Sequence, residues 1–310
     1  MSLCTSTSCS ILEVTCLGTL RDSVRDLLVW LVFNISFHIL LSITATVENL
    51  LVLAAIWRTS SLHSPSNTLL FGLALSDLCV ACVAQPVFIT LQFLVYNNDD
   101  LSSCALDKAV IFLNIFSSKV TLLTLTTISI DRYLAIYLHL RYREIVTNRK
   151  IKLLLPALWM VGGAIAATSF LAITVLQWTL IIVESACFLT SLFVWIRIYQ
   201  VVRRHKAQIQ GQAHTCMQEQ HFNMAKFKKS ASNCISLMFA YLLCYLPLFI
   251  TTVRLTINLD KSGFRLVFIS YTAFVLNSSL NPLVYCWRHK DIRAAVRRML
   301  KNICCQVEDH

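Results

Sequence analysis

Long apolar stretches, separated by short polar segments, dominate the pattern along this chain. Each is at least as long as the ~20 residues that a helix needs to cross the core of a bilayer. The stretch from Leu153 to Tyr199 is about twice that length, so we divide it into two spans with a turn near residues 174–178. The spans are predicted at residues 28–56, 67–93, 104–136, 150–171, 174–202, 225–256 and 265–287. The pattern predicts an all-α membrane protein, a seven-transmembrane helix bundle.

The last part of the chain has a different, amphipathic pattern. Its apolar residues recur at helical spacing, and basic residues occupy the opposite face. These apolar positions are Ile292, Ala295, Val296, Met299 and Leu300. A helix of this kind lies along a membrane surface. We therefore predict an amphipathic eighth helix at the inner face of the bundle.

Composition and charge agree with a membrane protein and indicate its orientation. Of 310 residues, 56% are hydrophobic and 14% charged, against about 25% charged in soluble proteins. The net charge of +11 does not indicate nucleic-acid binding, because the basic residues lie in short segments between the apolar stretches. One side of the bundle holds 20 of the 27 Lys and Arg residues, and the positive-inside rule assigns that side to the cytoplasm.

This orientation gives the domain organisation. We predict an extracellular N-terminus at 1–28, a seven-transmembrane domain at 29–287, and an amphipathic helix with a short cytoplasmic tail at 288–310. No basic segment followed by an apolar core begins the chain, so no cleavable signal peptide is expected. The first span is expected to act as the signal anchor.

Six landmarks stand at defined positions in the spans. They are Asn49 in ENLLVLAA, Asp77 in LALSDL, Asp131-Arg132-Tyr133, Trp159, Cys244-Tyr245-Leu246-Pro247 and Asn281-Pro282-Leu283-Val284-Tyr285. In order and spacing they resemble the landmarks of rhodopsin-like (class A) G-protein-coupled receptors, over nearly the whole chain. The nearer resemblance is to the melanocortin, adenosine, cannabinoid and lysophospholipid receptor cluster, and melanocortin receptors are the most similar. It is carried by Glu48–Leu51, Leu62–Pro65 and Leu140–Tyr142.

The resemblance implies a plasma-membrane receptor for an extracellular small-molecule, lipid or peptide ligand. It implies a heterotrimeric G protein as the inner partner, arrestin and receptor kinases as further partners, and no enzymatic activity. The residues expected to form the activation switch are Asp131, Arg132, Tyr133, Tyr245, Pro247, Asn281, Pro282 and Tyr285. A chemosensory, odorant-like receptor of the same fold is the alternative. A retinal-binding photoreceptor or pump is more distant, because span seven lacks a lysine and Lys119 lies in span three.

A set of polar residues is expected to face inward from four spans. Its members are Asn49, Asp77, Thr121, Asn277, Ser278 and Asn281. The resemblance implies that oxygen atoms around Asp77 hold an allosteric sodium ion. The alternative is a hydrogen-bonded network without an ion, since polar groups inside a membrane bundle must be satisfied in any case. No other cofactor or metal is expected.

Two charged residues stand within apolar spans. Lys119 lies 13 residues before Arg132, and Glu184 lies in the outer third of span five. Such charges are costly unless they are paired. Spans three and five are neighbours in the receptor family that the chain resembles, so Lys119 and Glu184 are expected to meet. The pair is either structural or a polar anchor for a charged ligand group. The candidate ligand-pocket residues are Gln85, Gln92, Asn114, Ser118, Lys119, Glu184, Phe249, Arg254, Tyr271 and Phe274.

The chain departs from the resembling receptors at several positions. Asp107 stands where a span-three cysteine is expected. Trp195 replaces a tyrosine of span five, and Phe227 replaces a frequent acidic partner of the span-three arginine. Asp131 is therefore expected to be the main restraint on Arg132 in the resting state.

Cysteines and one sequon add candidate modifications. Cys304 and Cys305 end the amphipathic helix and are palmitoylation candidates. Asn34-Ile35-Ser36 is a glycosylation sequon at the outer edge of span one. Cys104 is a disulfide candidate on the oxidising outer face, and its partner stays open among Cys4, Cys9 and Cys16.

Overall fold

The computed structural model describes residues 24–96, 100–138, 141–211, 241–257 and 263–308, and all regular structure within these ranges is helical. Two 3₁₀ turns, Ser60–Leu62 and Thr168–Phe170, and a π-helix, Val80–Ala84, interrupt or join the α-helices. The α-helices are α1 (Val24–Arg58), α2 (Pro65–Cys79), α3 (Gln85–Tyr96), α4 (Asp100–Leu138), α5 (Tyr142–Ile145), α6 (Asn148–Ala167), α7 (Ile173–Gly211), α8 (Tyr241–Ile257), α9 (Gly263–Arg288) and α10 (Lys290–Glu308).

Seven helical segments form the membrane bundle, as the apolar pattern predicts. Five are long and apolar enough to cross a bilayer: Leu31–Arg58, Pro65–Leu94, Lys108–Leu138, Asn148–Phe170 and Ile173–Val201. The sixth and seventh are α8, a shorter apolar helix over its described residues, and α9, which has 26 residues. Helices are favoured here because every backbone polar group is satisfied within the segment itself.

The long helix α4 lies at the centre of the bundle and packs against α2, α3, α6 and α7. Its contact with α6 is close, since a Cβ atom added to Gly162 would lie 2.6 Å from Val120 Cγ2. One turn away, the rings of Phe116 and Trp159 meet edge to face with centroids 5.9 Å apart. This packing fixes the position of the helix that carries Lys119, Asp131 and Arg132.

The second span contains a π-helix that its apolar pattern does not reveal. The N–H of Gln85 bonds to the carbonyl of Val80, five residues earlier. Pro86 explains the wider turn, because in a regular helix its ring would clash with the carbonyl four residues before it. Ser42 Oγ of α1 donates to the carbonyl of Ala81 over 2.7 Å and so satisfies a loosened backbone acceptor. The π-helix rotates the half of the span beyond Gln85 relative to the half that carries Asp77.

The connection between spans four and five is short. α6 ends at Ala167, a 3₁₀ turn follows, and Leu171 is extended (φ −93°, ψ −167°) just before α7 begins at Ile173. The two predicted spans are confirmed, but the predicted turn near 174–178 is wrong, because those residues form the first turns of α7. Thr168 Oγ1 donates to the carbonyl of Ile165 over 2.6 Å, a local bond that competes with helix continuation.

The amphipathic C-terminal helix is present as α10. Its apolar face packs on α1 and α9, where Ile292, Ala295 and Val296 are buried and Met299 adds a partial contact. Leu300 is exposed instead. The helical spacing predicted for this segment is therefore confirmed, and most of its apolar face is covered by the bundle itself.

Candidate functional site

One end of the bundle contains a buried carboxylate that is held by three side chains. Asp131 of α4 is only 3% exposed. Ser66 Oγ donates to its Oδ2 over 2.8 Å, and Tyr142 OH donates to its Oδ1 over 2.5 Å. Arg132 Nη2 forms an ion pair with Oδ2 at 3.1 Å. The carboxylate of Asp131 thus joins α2, α4 and α5 and holds the guanidinium of Arg132 in this conformation.

Local sequence places the partners of Asp131. Pro65 occupies the first turn of α2, where its missing N–H costs nothing, and Ser64 caps the helix by accepting from the N–H of Asn67 over 3.3 Å. This start puts Ser66 in the first turn of α2, where the helix dipole favours a nearby carboxylate. The single turn of α5 then presents Tyr142 from the opposite side. Neither Ser66 nor Tyr142 was a predicted site residue.

Tyr142 is held in its protonated, donating form. Burial first, and the hydrogen bond to Asp131 second, raise its pKa to about 12. Ser66 Oγ also lies 3.2 Å from the phenol oxygen, so the three groups form a closed network. Tyr142 therefore donates to Asp131 throughout the physiological pH range.

The other predicted switch residues described by the structure do not bond to this site. Tyr133 stacks on Tyr137, with ring centroids 5.5 Å apart. Tyr285 is fully buried, and Tyr245 OH donates to the carbonyl of Ser118 over 3.3 Å. Within the described residues, no hydrogen bond or ion pair links Arg132 to Tyr245 or Tyr285.

The carbonyl of one helix proline accepts bonds from two side chains. In α8, the carbonyl of Pro247 accepts from Thr251 Oγ1 over 2.9 Å and from Ser270 Oγ over 3.1 Å. These bonds link α8 to α9 at a level where the helix is open to bending. Pro282 lies inside α9, between the polar network and Tyr285.

A second buried carboxylate organises the middle of the bundle. Asp77 is fully buried, and its two oxygens accept from Ser278 Oγ over 2.9 Å and from Asn281 Nδ2 over 2.8 Å. Asn49 Nδ2 donates to the carbonyls of Ala45 and Ser278, over 2.9 and 3.0 Å. Hydrogen bonds from uncharged donors therefore join α1, α2 and α9 around the carboxylate of Asp77.

Some predicted members of this network are placed differently. Thr121 Oγ1 bonds to Ser76 Oγ over 3.3 Å and does not touch Asp77. Both amide atoms of Asn277 and the side-chain oxygen of Asn49 are buried without a hydrogen-bond partner. Buried polar atoms of this kind need a water or an ion. These unpaired oxygens beside a carboxylate fit a small cation with oxygen ligands.

Lys119 and Glu184 meet in a fully buried ion pair. Their side chains are each 2% exposed, and Lys119 Nζ bonds to Glu184 Oε1. The contact ties α4 to α7, as expected from the cost of isolated charges in a membrane. The second oxygen, Glu184 Oε2, is buried without a partner.

Several candidate pocket residues are buried in the bundle, and one of them bonds to a neighbouring helix. Gln92 Nε2 donates to Asn34 Oδ1 over 2.9 Å, between α3 and α1. Asn34 is therefore only 7% exposed, which makes its sequon a poor glycosylation acceptor. Gln85 is fully buried and both its amide atoms are unpaired, whereas the unpaired oxygen of Asn114 belongs to a half-buried side chain.

An aromatic cluster fills the space between α1, α3 and α9. His38 stacks on Tyr271 with centroids 5.5 Å apart and meets Phe88 edge-on at 5.3 Å. Tyr271 and Phe274 pack together at 6.0 Å. His38 Nε2 also lies 3.2 Å from Thr272 Oγ1. His38 was not predicted as a site residue, and its only sequence signal is an imidazole inside an apolar span.

An open groove of about 370 Å³ lies along α8. Its lining residues are Phe249, Ile250, Val253, Arg254 and Ile257. Two of these, Phe249 and Arg254, are predicted pocket residues. The ring of Phe249 also contacts Phe188 of α7, edge to face at 5.4 Å.

Most of the remaining candidates are residues, or have side chains, that the structure does not describe. Cys4, Cys9, Cys16 and Phe227 fall outside the described residues. Cys104 lies in α4, and Cys304 and Cys305 lie in α10, but their side chains are outside the described part. Trp195 is described and stacks on Tyr199 at 6.3 Å. No group of three or more His, Cys, Asp or Glu side chains gathers anywhere in the described ranges.

The chain is similar to known seven-transmembrane proteins over most of its length. The family described as "7 transmembrane receptor (rhodopsin family)" matches residues 48–190. Adenosine receptor A2b of Gallus gallus is 24% identical, covering 89% of this chain and 90% of its own. Adenosine receptor A2a of Homo sapiens is 25% identical, covering 86% and 72%. Melanocortin receptor 3 of Rattus norvegicus is 27% identical, covering 84% and 83%.

Proposed function

We propose that the chain is a receptor of the rhodopsin family of seven-transmembrane, G-protein-coupled receptors, as its similarity to that family and to adenosine and melanocortin receptors supports. Arg132 is then the switch through which its ligand activates a heterotrimeric G protein. The chain is a receptor rather than an enzyme. The ion pair between Arg132 and the buried Asp131 carries the proposal. The guanidinium of Arg132 is held by one carboxylate, so it is released when Asp131 loses its hydrogen bonds to Ser66 and Tyr142.

Ligand binding acts on this switch by favouring one arrangement of the helices over another. A ligand shifts such an equilibrium only by its differential affinity for the two states. In the active arrangement, Arg132 leaves Asp131 and, with Tyr285 and the basic inner segments, forms the G-protein surface. Bending at Pro247 and Pro282 lets the inner halves of α8 and α9 move. Nucleotide exchange takes place on the G protein.

The finer partners and the orientation belong to the same proposal. The receptor is a multi-pass membrane protein of the plasma membrane, with the N-terminus extracellular and the C-terminus cytoplasmic, as the distribution of Lys and Arg supports. Its ligand is an extracellular small molecule, lipid or peptide, and arrestin and receptor kinases bind its inner face. Palmitoylation at Cys304 and Cys305 would anchor α10 to the membrane. A disulfide from Cys104 to Cys4, Cys9 or Cys16 would close the outer face.

Tyr142 provides a test that needs no ligand. Tyr142→Phe removes one hydrogen bond from Asp131, so Arg132 is released more often. A hydrogen bond to a charged group contributes about 1.5–3 kcal/mol when buried. Because Tyr142 is half-buried, we expect a smaller effect, about two- to tenfold more ligand-independent nucleotide exchange on a responsive G protein.

Nucleotide exchange is measured with receptor-containing membranes and a panel of purified G proteins. The matched control is Tyr137→Phe, since Tyr137 is exposed and contacts neither Asp131 nor Arg132. Exchange in that control should equal the parent. If Tyr142→Phe also leaves exchange at the parental rate with every G protein, the restraint on Arg132 lies elsewhere.

The polar network supports an allosteric sodium site. Asp77, with the side-chain oxygens of Ser278, Asn277 and Asn49, would hold the ion. Carboxylate, amide and hydroxyl oxygens are ligands that hard cations prefer. The ion would neutralise the buried carboxylate that the described structure surrounds only with neutral donors.

Sodium should therefore stabilise the purified receptor. Replacing choline chloride with sodium chloride at constant ionic strength is expected to raise the Tm by about 2–4 °C, which corresponds to about 1 kcal/mol. Asp77→Asn keeps the hydrogen-bonding shape and removes the charge, so its Tm should be the same in both salts. An equal sodium response in parent and variant would support the network without an ion.

A further inference from the structure

One buried carboxylate oxygen in the half of the bundle away from Asp131 has no partner. Glu184 Oε1 receives the bond from Lys119, whereas Glu184 Oε2 is buried without a hydrogen bond to any described residue. An ionised carboxylate accepts about four hydrogen bonds, and an unpaired charged acceptor in a low dielectric is costly. This oxygen therefore marks a position that a donor from outside the described chain fills.

The pairing with Lys119 decides which kind of donor fits. The two side chains are together neutral, and a donor on Oε2 lies within a few ångströms of the Lys119 ammonium. A cationic donor would be repelled by that ammonium, strongly so because the site excludes water. An anionic group would compete with Glu184 for Lys119 and bring two carboxylates together. An uncharged hydroxyl or amide N–H satisfies Oε2 without either penalty.

The turn of α7 that follows Glu184 packs on aromatic side chains of α8. Phe188 lies one turn further along α7 and contacts both Tyr241 and Phe249 of α8, at 5.2 and 5.4 Å. Phe249 also lines the groove of about 370 Å³ on α8, whose other walls are mostly aliphatic. The groove lies on α8, and Phe249 is the lining residue that contacts α7, through Phe188.

We propose that Glu184 Oε2 accepts a hydrogen bond from the receptor's ligand, and that this ligand is an uncharged, largely apolar molecule carrying a hydroxyl or amide donor. The inference rests on the proposed receptor function and names the ligand class for it. Lys119 is then a positioning residue, which holds Oε1 and leaves the second oxygen for the ligand.

A matched set of small probes tests the predicted chemistry. 4-Phenyl-1-butanol and 4-phenylbutanamide are neutral donors, and the methyl ether of the alcohol lacks the donor. 4-Phenylbutanoate and 4-phenylbutylammonium carry the two charges on the same apolar body. Binding to the purified full-length receptor is measured as a concentration-dependent rise in Tm, without a G protein. The alcohol and the amide should bind at least about tenfold more tightly than the other three.

Two double variants isolate the acceptor. Lys119→Met with Glu184→Gln removes both charges and keeps a carbonyl oxygen, whereas Lys119→Met with Glu184→Leu removes the acceptor as well. The methionine–leucine pair replaces the ion pair by apolar side chains of similar size, a change that is often neutral or stabilising. The alcohol should bind the glutamine variant and bind the leucine variant about tenfold more weakly.

Three results would overturn the inference. The first is equal binding of the alcohol to both double variants. The second is a preference of the parent receptor for a charged probe. The third is that no probe binds the parent, which would leave water as the donor to Oε2. None of these depends on Arg132 or on a G protein. Failure of the ligand inference is therefore distinguishable from failure of the proposed switch.

Discussion

Replacing Lys119 alone by methionine is expected to destabilise the receptor by about 3–5 kcal/mol and to remove most of it from the cell surface. The substitution leaves Glu184 as an uncompensated carboxylate that is only 2% exposed. No other cation is paired with it among the described residues. The loss is therefore far larger than that of a surface ion pair, which contributes about 0–1 kcal/mol.

The second substitution should reverse most of this loss. Lys119→Met with Glu184→Leu removes both charges, and apolar replacement of a buried ion pair is often neutral or stabilising. We expect near-parental surface expression and Tm, measured by surface immunostaining and by thermal unfolding in detergent. Lys108→Met is the matched control, because Lys108 is an exposed lysine of the same helix.

Comparing the single variant with the double variant separates the stabilising role of the pair from its role at a ligand. Charge exchange, Lys119→Glu with Glu184→Lys, should recover part of the expression because the pair is re-formed in reverse. A Lys119→Met receptor as stable as its parent would show that Glu184 is neutral or otherwise partnered. The buried pair would then not be the link between α4 and α7.

The helices and the ion pair were predictable because each depends on a local property with a large energetic consequence. Apolar stretches of bilayer length form helices whatever their neighbours, since only a helix satisfies the backbone within the segment. Lys119 and Glu184 are conspicuous because a lone charge in a membrane is so costly. Because each of these charges needs a partner, the presence of one predicts that the other lies nearby.

The supports of Asp131 were not predictable in the same way. Ser66 and Tyr142 are ordinary polar residues of short inner segments, and they reach Asp131 only through the packing of three elements. Their separations along the chain are 65 and 11 residues. No periodicity connects such positions. The prediction that Asp131 restrains Arg132 followed from the lack of expected partners elsewhere, and did not identify what holds Asp131.

His38 and the π-helix show a second limit of pattern reasoning. A neutral imidazole within a span carries no charge, so nothing in the sequence marks His38 as a member of the cluster with Tyr271 and Phe88. Pro86 is a signal for backbone distortion. It does not specify whether the helix bends or widens, which depends on Ser42 of α1 being placed to satisfy the carbonyl of Ala81.

Arg132→Ala is expected to reduce G-protein activation to the level of receptor-free membranes, at least about tenfold below the parent. The guanidinium supplies five donors in a rigid fork, and its only described ion-pair partner is Asp131. Alanine removes this group without burying a new charge. Asp131 keeps its bonds to Ser66 and Tyr142, and the lost cation is 18% exposed, so we expect a smaller loss of stability than for Lys119→Met. Exchange is therefore compared per receptor at the cell surface.

Two readouts make this test independent of the ligand's identity. In the Tyr142→Phe background, whose ligand-independent nucleotide exchange is expected to be raised, adding Arg132→Ala should return exchange to background. In a ligand-panel screen read as cAMP, calcium and arrestin recruitment, the variant should lose both G-protein signals. Arg297→Ala, an exposed arginine of α10, controls for general loss of inner positive charge. Parental exchange by Arg132→Ala would mean that the switch uses another group, and the buried carboxylate of Asp131 would then serve only to join α2, α4 and α5.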